Sequence, residues 1–288
     1  MPWRFSEDVE PYAERVLPLL SADPAAHTVA LSVIDTVRSG HTWSDAPMLW
    51  GWLEEDGEVR GAISRNPPYD CLLAVVPDAE ELAAALLAAG VQLPGVNGDI
   101  GTVERFAAAW TAATGQRAAT HLELRLFALG ALEPPDPPPP GGARAATLAD
   151  LGLVMDWFAA FAEELELPAA EAEPRARKQV EDGRLWLWED GGAPVALAGR
   201  NAAAAGVARI GSVYTPPEHR GRRYGGAVTA ACAADALARG VERVVLFTDL
   251  GNPAPNKVYQ RIGFRPVSDH RVTRFNPQIA SLRGLTPG

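Results

Sequence analysis

The stretch from Ile210 to Leu237, IGSVYTPPEHRGRRYGGAVTAACAADAL, decides both the fold and the candidate site of this chain. An apolar strand ending at Tyr214 is broken by Pro216-Pro217, and a loop rich in Gly and Arg leads into an amphipathic helix. Glycines let a backbone approach a ligand closely, and the first N–H groups of a helix have no internal partner. Together with Arg220, Arg222 and Arg223, this order predicts an anion site. The alternative is a solvated basic turn.

The next strand and turn strengthen the prediction of a binding site. A buried strand over 243–248 is followed by DLGNPAPNKVYQRIGF, from Asp249 to Phe264. Here the sequence resembles the GNAT (Gcn5-related) N-acetyltransferase superfamily. The segment Arg220–Gly225 is similar to the family's (Gln/Arg)-x-x-Gly-x-(Gly/Ala) pyrophosphate loop, and the family's Asn-x-x-x-Asn-x-x-Tyr-x-x-x-Gly-Phe stretch is matched by Asn252, Asn256, Tyr259 and Gly263-Phe264. The resemblance covers about 145–275.

The resemblance implies a sheet that splays between the strands ending at Tyr214 and Thr248, with acetyl-CoA as cosubstrate in the gap and no metal. The pantetheine arm is expected to bond to backbone groups around Val213, Tyr214 and Thr215 like an added strand. Asn252 would brace the segment after the second strand, and Asn256 would contact the CoA arm. The loop implied to hold the pyrophosphate consists of Arg220, Gly221, Arg222, Arg223, Tyr224, Gly225 and Gly226.

Tyr259 is the implied catalytic residue, as the acid for the departing thiolate. A phenol with a pKa near 10 can donate a proton or a hydrogen bond at neutral pH, and a thiol has a pKa near 8.5. The base that would deprotonate the amine stays open among Asp249, Glu163 and Glu164, each of which is otherwise a capping or solvated carboxylate.

One residue departs from the family pattern. The fourth loop position is usually Gly and here is Arg223, which is sterically costly if the backbone needs a positive φ. Its guanidinium could instead add an ionic contact to the pyrophosphate. We expect binding to survive, because Gly221, Gly225 and Gly226 remain.

The length of 288 residues suits two domains, and the sequence between them is rich in proline. Six prolines within Pro134–Gly142 predict a stiff interdomain linker, with a proline-rich ligand for a partner module as the alternative. The predicted parts are a domain over 1–133, the linker over 134–142, a GNAT domain over 143–276 and a tail over 277–288.

Each half alternates short strands and helices, which predicts an α+β layered fold. The Trp-x-Trp hairpins at Trp50/Trp52 and Trp186/Trp188 align, as do Gly90 to Gly101 and Gly240 to Gly251. The sequence therefore predicts tandem GNAT-like domains, each with a mixed, mostly antiparallel central sheet flanked by helices.

The first half lacks the Gly/Arg loop of the second. Its strand over 71–76 runs through Pro77 into a helix that begins among Asp78, Glu80 and Glu81, and these carboxylates would repel a pyrophosphate. The first half is therefore interpreted as a degenerate copy that does not bind CoA, and whether it shapes the acceptor pocket stays open.

Composition excludes several classes of protein. The net charge of −10 argues against nucleic-acid and membrane binding and weakly favours cationic partners, and 47% hydrophobic residues support a folded core. No apolar run or leader pattern is seen, so a cytoplasmic protein is expected. The separate cysteines Cys71 and Cys232 support neither a disulfide framework nor a zinc site.

The sequence thus predicts an enzyme that moves an acetyl group from acetyl-CoA to a primary amine of a small molecule or peptide. The alternative is a non-catalytic acyl-CoA-binding or sensor protein. The identity of the amine, the acyl-chain specificity and the choice between monomer and homodimer stay open.

Overall fold

The structure is a computed structural model that describes residues 3–164 and 172–276. The tail predicted over 277–288 lies outside the described residues. The chain forms two compact units, each assembled from more than one stretch of sequence. Unit 1 contains residues 1–22, 33–124 and 269–288, and unit 2 contains residues 23–32 and 125–268. The domain boundaries drawn from the sequence remain predictions.

Unit 1 has a mixed sheet with helices packed on it. Its strands follow the order β1-β2-β3-β4-β5-β12-β6. The pairs β1–β2, β2–β3, β3–β4 and β5–β12 are antiparallel, and β4–β5 is parallel. The elements that lie wholly in this unit are β1 (Trp3–Ser6), α1 (Val9–Leu20), β2 (Leu49–Glu55), β3 (Glu58–Arg65), β4 (Cys71–Val75), α3 (Ala79–Ala88), β5 (Gly95–Asp99) and α4 (Ile100–Thr114).

Unit 2 has a sheet of the same kind, in the order β6-β11-β10-β9-β8-β7. Here β7–β8, β8–β9 and β9–β10 are antiparallel and β10–β11 is parallel. Its elements are β7 (Gly142–Ala145), α5 (Leu151–Glu164), α6 (Ala172–Glu181), β8 (Leu185–Asp190), β9 (Ala193–Arg200), β10 (Val207–Tyr214), α7 (Tyr224–Ala238), β11 (Arg243–Asp249) and α8 (Pro253–Arg261). Three further elements have residues in both units: α2 (Thr28–Arg38), β6 (Ala118–Leu129) and β12 (Phe264–Phe275).

The two units repeat one arrangement, as the aligned hairpins predict. In each, three antiparallel strands lead through a helix into a strand that pairs parallel with the third, and a further helix follows: β2-β3-β4-α3-β5-α4 and β8-β9-β10-α7-β11-α8. Both Trp-x-Trp strands also shift register shortly after the second Trp, at Leu53/Glu54 and Trp188/Glu189. The mixed, mostly antiparallel α+β architecture predicted for the tandem copies is confirmed.

Each unit has its own apolar core. In unit 1 the largest fully buried side chains of the main cluster are Phe106 and Trp110 from α4. In unit 2 the helix α7 packs its alanines on one face of the sheet, next to Phe127, Phe264 and the phenol ring of Tyr259. The alanine-rich sequence lets α7 lie close to the strands, because small side chains bring the two backbones together. This close packing fixes the position of the loop that precedes α7.

The proline-rich segment packs against unit 2 over part of its length. Trp188 Nε1 donates to the carbonyl oxygen of Pro140 over 2.8 Å, and Glu133 N donates to Ile262 O over 3.1 Å. The segment covers an apolar cavity of about 180 Å³ that is also lined by alanines of α7. Its last residue, Gly142, begins strand β7. The proline-rich segment is therefore fixed at both ends.

Among the described residues, no helix is long and apolar enough to cross a bilayer.

Candidate active site

Strands β10 and β11 separate before they end, which leaves one edge of β10 open. Their parallel ladder runs from Val207–Arg243 to Ile210–Leu246, whereas β10 continues to Tyr214 and β11 to Asp249. A bulge between Ile210 and Ser212, seen in the pairing with β9, falls at the same place. In the described part of the chain no strand pairs with the β11-facing edge beyond Ile210. The predicted residues Val213, Tyr214 and Thr215 lie on or just after this edge.

The loop after β10 ends at the first turn of α7, where backbone N–H groups have no helical partner. The first α-helical bond at this end runs from Ala227 N to Arg223 O. Arg223 is the N-cap residue and its side chain does not cap the helix. The N–H groups of Tyr224, Gly225 and Gly226 thus precede the helical hydrogen-bond ladder, and the helix dipole favours an anion there. Gly221, with φ of 78°, needs the freedom of glycine.

Two glycines of the loop allow close packing around this helix start. A Cβ at Gly226 would meet Val258 Cγ1 of α8 at 3.0 Å, and one at Gly225 would meet Thr215 Oγ1 at 3.2 Å. Gly225 and Gly226 therefore bring α7, α8 and the end of β10 together.

The arginines of the loop differ in what they contact. Arg220 turns back onto the end of β10: its Nε donates to Thr215 O over 2.9 Å and its Nη2 lies 2.5 Å from Glu164 Oε1. The guanidinium carbon also lies 5.9 Å from the centre of the Tyr214 ring. All three arginines are exposed, but within the described residues neither Arg222 nor Arg223 forms an ion pair with a carboxylate. Of the three, Arg222 and Arg223 are the better placed to meet a ligand anion.

Arg223 adopts the positive φ that is sterically costly for any residue other than glycine. Its φ is 68° and its ψ 9°, in the left-handed region where a side chain clashes with the backbone. The next residue, Tyr224, is buried and its hydroxyl donates to Oδ2 of Asp190, the last residue of β8. This bond is also the largest cause that raises the pKa of Tyr224. The side chain of Tyr224 thus fixes the helix start, and its backbone N–H remains available.

The turn after β11 is braced by the two predicted asparagines. Asn256 Nδ2 donates to Asp249 O over 3.0 Å and to Asn252 O over 2.7 Å. Asn252 N donates to Asp249 O over 3.2 Å. The remaining acceptor of Asn256, Oδ1, is buried and has no partner in the described structure. An amide N–H of a pantetheine arm would satisfy this atom, so the residues present fit acetyl-CoA.

Tyr259 lies on α8, and its ring belongs to the apolar core of unit 2. Its ring packs edge-on against Phe264, with 6.2 Å between the ring centres, and the residue is 9% exposed. Burial raises its pKa to about 12. The phenol therefore stays protonated across the whole physiological range, as a hydrogen-bond donor requires.

Two of the three carboxylates proposed as base already have a partner within the protein. Asp249 Oδ1 accepts from Gly251 N over 2.7 Å, and Glu164 pairs with Arg220. Glu163 is exposed on α5. No group of three or more His, Cys, Asp or Glu side chains within the described ranges is arranged to hold a metal ion.

Unit 1 differs at the helix end that corresponds to this site. Asp78 caps α3 by accepting from Glu81 N over 2.8 Å, and Glu80 and Glu81 occupy the first turn. The N–H groups that could meet an anion are thus partly satisfied by a carboxylate of the protein, and the local charge is negative. This geometry agrees with the interpretation of unit 1 as a degenerate copy.

Unit 2 thus combines a splayed mixed sheet with an uncapped, arginine-flanked helix start. Residues 152–264 match the family model described as "Acetyltransferase (GNAT) family". The second half of the chain therefore contains a GNAT domain, and this membership supports acetyl transfer as its chemistry. A search of curated proteins finds no match.

Solved structures resemble nearly the whole chain. A GCN5-related N-acetyltransferase from Sphaerobacter thermophilus has 19% identity and a TM-score of 0.63 over 95% of each chain. A tandem GNAT protein from the clavulanic acid biosynthesis pathway has 16% identity and a TM-score of 0.59, over 95% of this chain and 98% of that one. A GNAT-family acetyltransferase from Colwellia psychrerythraea has 14% identity and a TM-score of 0.58, over 96% and 99%. The fold is that of a tandem GNAT protein.

Proposed function

We propose that this protein is an N-acetyltransferase that moves the acetyl group of acetyl-CoA to a primary amine of a small molecule or peptide. The observation that supports it best is the contrast between two helix starts. The N-terminus of α7 carries no side-chain cap and is flanked by Arg222 and Arg223, whereas α3 is capped by Asp78 and begins with two glutamates. A pyrophosphate fits the first and is repelled by the second.

Each part of the site has a task in this proposal. Acetyl-CoA, when bound, supplies the activated acetyl group. The N–H groups of Tyr224 to Gly226 bind the pyrophosphate together with Arg222 and Arg223. The open edge of β10 and Asn256 Oδ1 orient the pantetheine arm, since both offer backbone or side-chain groups without a partner.

Tyr259 would hold its proton and donate a hydrogen bond to the departing sulfur. With a pKa of about 12, it is a weaker acid than a CoA thiol, whose ordinary pKa is near 8.5. Complete transfer of the proton is therefore unfavourable, and stabilisation of the developing negative charge is the larger contribution. Because Asp249 and Glu164 already accept hydrogen bonds from the protein, we infer that water deprotonates the amine.

Calorimetric titration with acetyl-CoA tests the binding half of the proposal. We expect one site per chain, weakened at least tenfold in the double variant Arg222→Glu/Arg223→Glu. The matched control Arg60→Glu lies on the β2–β3 hairpin of unit 1 and should leave the affinity unchanged. No detectable binding at millimolar acetyl-CoA would contradict the proposal.

Release of the CoA thiol with a panel of amines tests the catalytic half. A non-catalytic acyl-CoA sensor is the second candidate, and the contacts that Asp249 and Glu164 already make within the protein favour it. Binding of acetyl-CoA without turnover on a wide panel of amines would show that the protein is a sensor. Turnover that is lost in Tyr259→Phe would support the N-acetyltransferase.

A further inference from the structure

A second cationic position lies on β10, away from the pyrophosphate loop. Arg209 is the third residue of this strand, one residue before the ladder with β11 ends. Its neighbours Ala208 and Ile210 face the core under α7, so alternation along the strand directs Arg209 to the opposite face of the sheet. There its Nη1 donates to Ser32 Oγ of α2 over 3.3 Å.

Arg209 faces another cation rather than a carboxylate. Arg175 of α6 approaches the same stretch of β10: its Nη2 lies 2.7 Å from the position that a Cβ of residue 211 would take. Gly211 leaves the space that this guanidinium uses. Burial, followed by the charge of Arg175, lowers the pKa of Arg209 to about 10. At neutral pH Arg209 remains charged.

This arrangement is unusual within the molecule. Arg200, on the neighbouring strand β9 and 4% exposed, pairs with Asp235 over 2.9 Å. Arg144 is held by both Asp150 and Glu189. Over the described ranges Arg209 has no carboxylate at ion-pair distance, and its hydrogen bond goes to a neutral hydroxyl. Because an uncompensated charge in a desolvated place is unfavourable, an anion from outside the protein would stabilise Arg209.

The distance between Arg209 and the open edge of β10 indicates what kind of anion would bind Arg209. Ser212 lies on the open part of the edge, three residues after Arg209, and a strand rises about 3.3 Å per residue, so the two backbone positions are about 10 Å apart. A small molecule with an amine at the edge and an acidic group at Arg209 spans such a distance. We propose that Arg209 binds the acidic group of the acceptor, so that the acceptor is an amine that also carries a carboxylate.

This inference rests on the proposed function and narrows its substrate class. A carboxylate suits the planar guanidinium, which can bind both oxygens at once. Polyamines and other purely cationic amines would be repelled by the like charge of Arg209 at this position. The positive charge of Arg209 thus favours an acidic group, whereas the net charge of −10 weakly favours cationic partners.

The stability of the ligand-free protein tests the anion site without any turnover. Arg209→Met keeps the length of the side chain and removes the charge. Since the wild type contains an unneutralised cation, we expect the Tm of this variant to rise by about 2–4 °C. An unchanged or lower Tm, or failure to fold, would overturn the inference, because Arg209 would then be a structural residue.

Matched pairs of acceptors test the specificity. Release of the CoA thiol is measured for lysine against cadaverine, ornithine against putrescine and β-alanine against ethylamine, with phosphoethanolamine against ethanolamine as the phosphate arm. We expect at least one carboxylate-bearing member to have a kcat/KM at least tenfold above its partner. Arg209→Met should abolish this preference by raising KM with little change in kcat. Arg60→Met, an exposed arginine of unit 1, should keep it.

The outcomes separate this inference from the proposed function. Equal turnover within each pair, or a preference for the cationic members, overturns the carboxylate assignment and leaves acetyl transfer standing. A preference confined to phosphoethanolamine assigns the site to phosphate and overturns the carboxylate. Absence of acetyl-CoA binding contradicts the proposed function, and the Tm of Arg209→Met still decides whether an anion site exists.

Discussion

At the scale of single residues, Arg223 holds a backbone conformation that is unfavourable for arginine. Its φ of 68° lies in the left-handed region, which glycine enters without penalty. We expect Arg223→Gly to raise the free energy of unfolding by about 0.5–1 kcal/mol, after the greater freedom of glycine in the unfolded chain is subtracted. Urea unfolding of the ligand-free protein measures this change.

A neighbouring arginine provides the control for this prediction. Arg222 does not have a positive φ, so Arg222→Gly gains no such relief and should lower the free energy of unfolding. Equal effects of the two substitutions would show that strain at Arg223 is not the cause. The affinity for acetyl-CoA should fall in both variants, because each removes one cation from the site.

Tyr259→Phe separates the catalytic role of the phenol from its role in the core. We expect kcat to fall by about 10²-fold or more, with the KM for acetyl-CoA nearly unchanged, because the hydroxyl acts in the transition state. At pH 8 the stability should change little, since the ring and its contact with Phe264 remain. Steady-state kinetics and urea unfolding measure the two effects. Turnover equal to that of the wild type would exclude Tyr259 as the donor.

The same residue gives a stability prediction at high pH. Its pKa is about 10 in the unfolded chain and about 12 in the folded one, so the folded state retains a proton that the unfolded state loses. The stabilisation is complete below pH 10 and is lost as the pH rises towards 12. Between pH 8 and pH 11, the wild type should lose about 1.4 kcal/mol relative to Tyr259→Phe. Equal losses in both proteins would show that the phenol titrates normally.

The sequence predicts many of these residues and few of their partners. The glycines, arginines and asparagines of the site follow from short motifs, because their backbone requirements are local. The contacts of Arg220 with Glu164 and of Tyr224 with Asp190 join residues 56 and 34 positions apart, and no local pattern encodes them. The same holds for Arg209, whose partner Ser32 is 177 positions away.

At the scale of elements, the start of α3 shows why the first copy is not expected to bind CoA. We predict that Asp78→Ala lowers the free energy of unfolding by about 1 kcal/mol, because it removes the bond to Glu81 N at the helix start. The affinity for acetyl-CoA should stay the same, since the binding site is proposed to lie at α7. Urea unfolding and calorimetric titration measure the two quantities. A second acetyl-CoA site in this variant would show that Asp78 alone blocks the first copy.

Helix α1 and strand β5 have weak local propensity, and neither is predicted from the sequence. Helix α1 contains Pro11 and Pro18, and strand β5 has the sequence Gly95-Val96-Asn97-Gly98-Asp99. Both are poor patterns by themselves. Their stability comes from tertiary contacts: α1 buries Tyr12 and Val16, and β5 is paired on both edges by β4 and β12. By contrast, helix α7 follows from its local sequence, since Pro216-Pro217 and the Gly/Arg loop mark where it begins.

At the scale of the whole molecule, the tandem copies are unequal in charge as well as in geometry. The net charge of −10 gives no indication of an anion site, yet the α7 start carries arginines where the α3 start carries carboxylates. Overall charge governs long-range association, whereas a bound pyrophosphate responds to groups within a few ångströms. Local sequence, rather than composition, therefore distinguishes the two copies.

The last prediction concerns a fragment of residues 143–288, which the proline-rich segment suggests as an independent domain. Such a fragment lacks Leu126 and Phe127, which are fully buried in the cores of unit 2. Loss of one such side chain costs about 2–5 kcal/mol, and a whole domain is stable by only about 5–15 kcal/mol. We expect the fragment to aggregate or to lack a cooperative urea transition by circular dichroism. The control is the full chain with a protease site inserted beside Pro135: after cleavage its two pieces should stay associated, because both supply residues to unit 2. A fragment that unfolds cooperatively and binds acetyl-CoA as tightly as the full chain would instead establish 143–288 as an autonomous domain.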